Sequence, residues 1–189
     1  MHTIEPFYNW LELYSAAEDP RSPLYGAENS LLQYTHTIYG YYIHPQWDDI
    51  DSETLFLKIL YADYELGFAV IEFIGEWNDA LNNDIMKLKR NIIDPLVQEG
   101  IKHFILIGEN VFNFHGSEDD YYEEWFEDVE EGWIAAISFQ DFVLREMHSY
   151  NLDSYINSGG TLDELHWRTY TPKRLFGLVN SMIQKRLGT

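Results

Sequence analysis

Apolar residues alternate with other residues along much of the first half of the chain, which is the spacing of half-buried β-strands. One strand is predicted near residues 35–43, which are rich in Tyr, Thr and Ile, and a second over 54–61. Another apolar run ends at Gly75, and the short interval between the last two runs predicts an antiparallel hairpin over residues 54–74. The sheet is therefore expected to begin with antiparallel strands.

The spacing changes to a helical repeat after Gly75. Apolar residues recur every three or four positions from Leu81 to Leu96, which predicts a helix with one buried face. Pro95 is expected to kink this helix or to begin a new turn, because proline has no backbone N–H to donate. A short apolar strand follows over residues 103–108.

The remaining elements are predicted from start signals and apolar spacing. Ser117 is expected to cap a helix over the acidic residues that follow it, and residues 133–139 form another apolar strand. Further helices are predicted over residues 4–17, from Ser138 to about Tyr150 and from Thr171 to about Leu187, with Ser138 and Thr171 as the capping residues of the last two. Strands joined by helical crossovers pair in parallel, so the predicted fold class is α/β. It has a mixed β-sheet with an N-terminal antiparallel hairpin, βαβαβα-type crossovers and helices at both termini.

The element order over roughly residues 54–150 resembles that of the anti-sigma-factor-antagonist (STAS) type of domain. Those domains carry an Asp-Ser-Ser-Gly-like turn at the helix after a central strand. The comparable stretch here runs from Gly108 to Ser117 and does not contain that motif. The phosphorylation switch that such a turn implies therefore does not transfer to Ser117.

The 189 residues are predicted to form a single globular domain. Residues 1–30 would contain the N-terminal helix and a connection, residues 35–150 the α/β core, and residues 151–189 a C-terminal helical extension. Hydrophobic residues make up 46% of the chain, which is enough to build a buried core at this size.

The chain has 32 acidic and 12 basic residues, and its formal net charge is −20. Such a charge repels nucleic acids and anionic membrane surfaces, so neither is an expected partner.

No apolar stretch approaches the roughly 20 residues of a membrane-spanning helix. The chain also lacks cysteine and a secretory signal at its start, and we therefore expect a cytoplasmic location. The oligomeric state stays open.

Polar residues after the strand predicted over 103–108 form one candidate site, because ligands in open α/β sheets gather beyond the carboxyl ends of strands. Glu109, Asn110 and His115 are candidate ligand-binding residues. Glu109, His115 and Ser117 are candidate catalytic residues for acid–base chemistry in a small hydrolase-like enzyme. Alternatively, these side chains satisfy turn amides, cap a helix or face solvent, since no Gly-x-Ser-x-Gly turn is present.

No metal or cofactor is predicted. His36 and His44 would lie about 27 Å apart on one strand, too far to share an ion unless the strand breaks. The acidic residues between positions 48 and 53 lack the spacing and the glycine of a calcium-binding loop. The glycine-rich fingerprints of common nucleotide sites are also absent.

Residues 118–131 depart furthest from ordinary composition, with nine carboxylates and no Lys or Arg. In a helix, Tyr122, Phe126 and Val129 would line one face, and the carboxylates near the helix end would oppose the helix dipole. A basic protein partner would explain this cost, because aromatic anchors flanked by acid provide both contact and steering. The candidate partner-binding residues are Asp119, Asp120, Glu123, Glu124, Trp125 and Glu127.

The acidic segment is also compatible with two arrangements that need no partner. The aromatic residues could belong to the core while the carboxylates form a solvated face that keeps the chain soluble. Alternatively, the last helix could dock on the acidic helix, since five basic residues lie near it: Arg168, Lys173, Arg174, Lys185 and Arg186. The favoured function is that of a regulatory or accessory protein that recognises a protein or small ligand, with the hydrolase-like enzyme as the alternative.

Overall fold

The computed structural model describes residues 2–30, 32–34 and 36–188. Within these residues the strands form one small and one large sheet. In chain order the strands are β1 (His2–Ile4), β2 (Thr37–Ile38), β3 (Tyr41–Ile43), β4 (Asp48–Asp49), β5 (Leu55–Asp63), β6 (Phe68–Asn78), β7 (His103–His115), β8 (Trp133–Ile137) and β9 (Ile156–Asn157). The small sheet has the order β1–β3–β2, and the large sheet has the order β4–β5–β6–β7–β8–β9.

Most of the helices connect the later strands of the large sheet. They are α1 (Asp79–Asn82), α2 (Asp84–Leu88), α3 (Asp94–Gln98), α4 (Asp120–Asp128), α5 (Asp141–Ser149) and α6 (Pro172–Leu187). A π-helical segment, Lys89–Ile93, joins α2 to α3, so the helix predicted over 81–96 is present as a run of short helices. The run restarts as α3 at Asp94, as expected, because Pro95 has no N–H to continue the preceding turn.

The large sheet is mixed, which confirms the predicted α/β fold class. β5 and β6 form the antiparallel hairpin, in which Leu55 pairs with Gly75 and Asp63 pairs with Phe68. β6, β7, β8 and β9 are parallel neighbours, and a helical crossover joins each to the next. β9 is an unpredicted strand that lies inside the C-terminal extension expected over residues 151–189.

Different parts of the chain cover the two faces of the large sheet. On β6, Ala69 and Ile71 belong to the apolar cluster that α2 to α5 complete, whereas Phe68 and Val70 belong to the cluster that α6 completes. The acidic helix α4 and the last helix α6 therefore lie against opposite faces. This arrangement overturns the alternative in which the last helix docks on the acidic one.

The helix predicted over residues 4–17 is not formed. β1 is followed by turns instead. The backbone amide of Phe7 donates a hydrogen bond to Glu72, and the indole of Trp10 donates one to the backbone oxygen of Tyr170. These distant partners hold the segment against the sheet and satisfy polar groups that local helical bonds do not reach.

The strand predicted over residues 35–43 is divided into β2 and β3. Tyr39 and Gly40 stand between them in left-handed backbone conformations, with φ angles of 51° and 84°, and reverse the chain. β2 and β3 then pair antiparallel, with Thr37 opposite Tyr42. The first residue of the predicted strand lies outside the described residues.

β7 continues well beyond the predicted end at residue 108 and reaches His115. The long neighbouring strand β6 pairs with this continuation, where Ile74 lies opposite Asn110 and Trp77 lies opposite Phe114. The segment expected to be a loop over residues 109–117 is therefore mostly strand.

Two of the three predicted helix caps are displaced. Asp119 rather than Ser117 precedes α4, and Gln140 rather than Ser138 precedes α5. Ser138 follows β8 in a left-handed conformation with a φ of 57°, so it belongs to the turn before the helix. Thr171 precedes α6, as predicted.

Candidate functional site

The side chains of α4 divide into three sides around the helix axis, of which the first is buried. Tyr122, Trp125 and Val129 are at most 1% exposed and pack in the core, where Trp125 meets Phe104 edge to face. Phe126, predicted on this side, is instead 42% exposed. The prediction that Trp125 contacts a partner is wrong, because the core covers its whole surface.

The second side of α4 is neutralised by two cations from the π-helical segment. Lys89 is buried, and its Nζ lies 2.6 Å from Asp128 Oδ2 and also contacts Asp94. Arg90 makes two hydrogen bonds to Glu124, of 2.6 and 3.0 Å. Burial disfavours the charge on Lys89, but the bonds to Asp128 and Asp94 outweigh it and raise the pKa of Lys89. Glu124 is therefore already paired within the chain.

The third side, which we call the acidic face, consists of Asp120, Glu123 and Glu127. These residues recur at intervals of three and four and therefore form one stripe along the helix. All three are exposed, and none has a Lys, Arg or His nitrogen within 4 Å in the described parts of the chain. Phe126 borders the stripe, and its ring centroid lies 5.9 Å from that of Tyr155.

Asp119 is the remaining residue of the predicted partner-binding set. Its carboxylate accepts a hydrogen bond of 3.0 Å from the hydroxyl of Tyr155, which ties the segment before β9 to the start of α4. Asp119 therefore has a structural partner inside the chain. Of the predicted set, the acidic face alone combines exposure with the absence of a partner among the described residues.

Glu109 and His115 were predicted to share one site, but they contact different partners. Glu109 forms an ion pair with Arg168, whereas Nε2 of His115 lies 3.8 Å from Glu76. Six strand residues at 3.3 Å each separate their backbones by about 20 Å. The structure therefore does not bring these two side chains together.

The other two residues of that predicted site, Asn110 and Ser117, lie in different surroundings from each other. Asn110 lies opposite Ile74 within the sheet. Ser117 lines a cavity of about 290 Å³ beside the start of α1, together with Asp79 and Tyr121. An acid–base set made of residues from 109 to 117 is not assembled in this fold.

Glu72 is a buried acid that the sequence pattern did not mark as a site residue. It is 0% exposed, and its Oε2 accepts a hydrogen bond of 2.8 Å from the amide of Phe7. Its Oε1 lies 3.8 Å from Arg168 and has no hydrogen-bond partner in the described parts of the chain. Burial raises the pKa of Glu72 to about 7. The sequence feature that could have pointed to it is the position of Glu72 as the one acid within the apolar run over residues 68–74.

A second buried acid, Asp79, stands where β6 ends and α1 begins. It accepts hydrogen bonds from the indole of Trp77 at 3.0 Å, from the amide of Ile85 at 2.8 Å and from the hydroxyl of Tyr122 at 2.6 Å. Burial raises the pKa of Asp79 to about 6, although these hydrogen bonds oppose the rise. Its saturated hydrogen bonding indicates a structural role at the start of the crossover.

Within the described residues, one group of carboxylates is close enough to hold a metal ion: Asp94, Glu124 and Asp128. The ammonium of Lys89 already contacts all three, at 3.4 Å from Glu124 and 2.6 Å from Asp128. A buried cation of the chain therefore occupies the position that a metal would need, and the group is best described as an internal ion-pair network.

The turn between β2 and β3 breaks the strand on which His36 and His44 were placed. Both histidines line a cavity of about 230 Å³ together with Asp49. These three residues do not form a close ligand group in the part of the chain that the structure covers.

The described residues also include no helix that is both long enough and apolar enough to cross a bilayer.

No protein-family model matches the sequence, and a search of curated proteins finds no match. Solved structures with similar backbones include the anti-sigma factor antagonist SpoIIAA in its unphosphorylated form, at 11% identity and a TM-score of 0.46. That comparison covers 66% of this chain and 96% of the other.

A second solved structure with a similar backbone is that of the protein TM1081, determined by NMR. It is 14% identical, with a TM-score of 0.39, and the comparison covers 70% of this chain and 89% of the other. Both TM-scores lie below 0.5, so these two structures transfer no fold assignment, residue role, ligand or activity to this chain.

Proposed function

We propose that this protein is a cytoplasmic regulatory or accessory protein that binds a basic protein partner through the acidic face of α4. The observation that carries the proposal is the contrast between two sides of one helix. Glu124 and Asp128 are neutralised by Lys89 and Arg90, whereas the acidic face has no cation within 4 Å among the described residues.

Asp120 and Glu123 lie in the first turn of α4, where the helix dipole favours acids, but the acidic face also introduces unfavourable interactions into the helix. Asp120, Glu123 and Glu127 are like charges at intervals of three and four, which costs a few tenths of a kcal/mol for each pair. Glu127 also lies in the last turn, where no basic residue offsets the helix dipole. A basic partner removes both unfavourable interactions, so binding gains from charges that weaken the free protein.

Phe126 supplies the apolar part of the proposed contact. It is 42% exposed beside the acidic stripe and rests against Tyr155. Aromatic side chains surrounded by polar groups are typical of residues that dominate binding energy. The net charge of −20 would add long-range attraction and raise the rate of encounter with a basic protein.

The test is affinity capture from an extract of the source cells on three immobilised proteins. These are the wild type, the triple variant D120N/E123Q/E127Q, and the control E12Q/E18Q/E65Q, which removes the same charge from exposed positions elsewhere. We expect a basic protein that binds the wild type and the control but is lost from the triple variant and at high salt.

A matched pair of aromatic variants tests the anchor. F126A should lose the captured protein, whereas F142A, which removes a 47% exposed Phe from α5, should retain it. Equal capture by the triple variant and the charge-matched control would show that overall charge alone attracts partners, and the proposal would then fail.

A further inference from the structure

The segment that follows β1, residues 5–14, lies against the large sheet without forming a strand of it, and we call this segment the strap. Its internal backbone hydrogen bonds close local turns. Two of its residues bond to distant groups: the amide of Phe7 donates to Glu72 at 2.8 Å, and the indole of Trp10 donates to the backbone oxygen of Tyr170 at 3.2 Å. The strap is therefore attached to the sheet by few polar contacts.

Both ends of the strap are held independently of Glu72. Before the strap, β1 pairs in parallel with β3. After it, the hydroxyls of Tyr14 and Tyr64 both donate to Asp19, at 2.8 and 2.6 Å. Movement of the strap away from the sheet, with its two ends in place, is therefore a local opening and does not require unfolding of the domain.

The closed strap buries an acid and an aromatic surface. Glu72 is 0% exposed, and the amide of Phe7 lies directly on its carboxylate. The ring of Phe7 also meets that of Trp167 edge to face, with centroids 4.8 Å apart, and Trp10 meets the same ring at 5.8 Å. Opening of the strap exposes both the carboxylate and this aromatic surface to water.

The charged groups that face Glu72 do not provide it with a cation of its own. Lys58 lies opposite Glu72 on β5, but its ammonium pairs with Asp48 at 3.0 Å. Arg168 comes within 3.8 Å of Oε1, but it is bound to Glu109, whose carboxylate repels that of Glu72. Oε1 has no hydrogen-bond partner among the described residues. A negative charge on Glu72 is therefore poorly compensated while the strap is closed.

We propose that Glu72 and the strap form a pH-sensitive switch, in which the strap is closed while the carboxyl group is protonated and opens as that group releases its proton to water. A protonated carboxyl group keeps the hydrogen bond from Phe7 without a buried charge. A carboxylate, in contrast, gains hydration when the strap opens. The switch stands on the contacts of the strap and does not depend on the acidic face of α4.

The switch acts near neutral pH. Burial raises the pKa of Glu72 from 4.5 to about 7 in the closed state, and opening returns the carboxyl group to water. Glu72 is protonated in both states below pH 4.5, so proton release favours opening increasingly between pH 4.5 and 7 and no further above that range. The equilibrium constant for opening should rise about tenfold between pH 6 and pH 8.

Amide hydrogen exchange of the full-length protein, with each rate divided by the intrinsic rate at the same pH, measures the opening. The amide of Phe7 reports on the strap, and that of Ile105, in a strand paired on both sides, reports on unfolding of the domain. We expect Phe7 to be less protected than Ile105 at every pH and to lose about tenfold in protection between pH 6 and pH 8. In E72Q, which cannot ionise, the protection of Phe7 should stay constant.

Two variants with opposite effects distinguish a switch from a purely structural contact. R168Q removes the cation that favours the carboxylate and should increase the loss of protection between pH 6 and pH 8. E109Q removes the carboxylate that repels Glu72 and should decrease that loss. E131Q, which removes an exposed acid after α4, should match the wild type. R168Q and E109Q retain Glu72, so they test the switch even if E72Q disturbs the fold.

Four results would overturn the proposal. The first is equal protection of Phe7 and Ile105, which would mean that the strap opens only when the whole domain unfolds. The second is a protection of Phe7 that does not change with pH in the wild type. The third is an unchanged pH dependence in E72Q, and the fourth is a change in the same direction in R168Q and E109Q.

Discussion

The carboxylate of Glu72, in the middle of β6, accepts a hydrogen bond of 2.8 Å from the backbone amide of Phe7. Its second oxygen faces Arg168 at 3.8 Å. One buried acid thus connects the segment after β1 and the segment before α6 to the centre of the sheet. Because its charge is buried, the strength of this connection depends on pH.

Glu72 should make the protein less stable as the pH rises. Its pKa is raised from 4.5 to about 7, so the native state keeps a proton that the unfolded state releases. The stabilisation is complete below pH 4.5, declines between pH 4.5 and 7, and levels off above that, for a total of about 3 kcal/mol. Urea unfolding of the wild type and E72Q at pH 4.5, 6 and 8 measures this contribution.

E72Q cannot ionise and should therefore gain stability relative to the wild type across this pH range. Asp79 shifts both proteins in the same way, so the difference between them isolates Glu72. Two stability curves that run parallel from pH 4.5 to 8 would show that folding does not change the pKa of Glu72, contrary to this account.

Loss of the carboxylates that contact Lys89 should lower the stability of the protein more than loss of Lys89 itself. The double variant D94N/D128N leaves the buried ammonium with the more distant Glu124, at 3.4 Å, in place of its two closest carboxylates, and it should cost about 3 kcal/mol. K89M removes the buried charge, leaves partly exposed carboxylates and should cost less than half as much. K185M, at an exposed position, serves as the control in urea unfolding. A larger loss in K89M than in D94N/D128N would contradict this assignment.

Removal of charge from the acidic face should have opposite effects on stability and on binding. E127Q relieves an unfavourable interaction with the end of α4 and should stabilise the protein by about 0.3 to 1 kcal/mol at low salt. The gain should vanish at high salt, and E12Q should show no comparable gain. Thermal unfolding at two ionic strengths measures both variants, and a destabilised E127Q would indicate that Glu127 has an internal partner.

Gly132 and Gly177 should respond to alanine in opposite directions. A Cβ atom at Gly132 would lie 1.8 Å from the backbone oxygen of Lys102, so G132A should cost about 3 kcal/mol. Gly177 lies inside α6, where such a Cβ would meet no atom within 4 Å apart from its chain neighbours and the backbone of its own helix, and G177A should add about 0.5 to 1 kcal/mol. Similar unfolding midpoints for the two variants would show that the strand connection at Gly132 is looser than the structure indicates.

The α/β fold could be predicted because its signals are local. Alternating apolar residues mark β5, and the helical repeat between Leu81 and Leu96 marks the first crossover. The N-terminal helix was predicted from the same kind of spacing, but Phe7 and Trp10 bond to Glu72 and Tyr170. The spacing of apolar residues gives no information about such hydrogen-bond partners, because they lie far away in the chain.

The candidate site could likewise be predicted only in part, because it depends on contacts between residues that are distant in the sequence. The sequence marks the acidic segment, but it does not show that Lys89 and Arg90 neutralise one side of α4 and leave the other without cations. Those contacts join residues 34 to 39 positions apart and depend on how the first crossover packs against the second. The continuation of β7 through Glu109 likewise depends on the length of β6, and it separates residues that were expected to share a loop.

The most direct test of the proposed function is calorimetric titration of the purified basic partner into the wild type, D120N/E123Q/E127Q and the charge-matched control E12Q/E18Q/E65Q, at low and moderate salt. Loss of three ion pairs at the acidic face should weaken binding about tenfold or more at low salt, and the control should stay close to the wild type. Equal dissociation constants for the two triple variants would contradict the claim that the acidic face of α4 is the recognition surface.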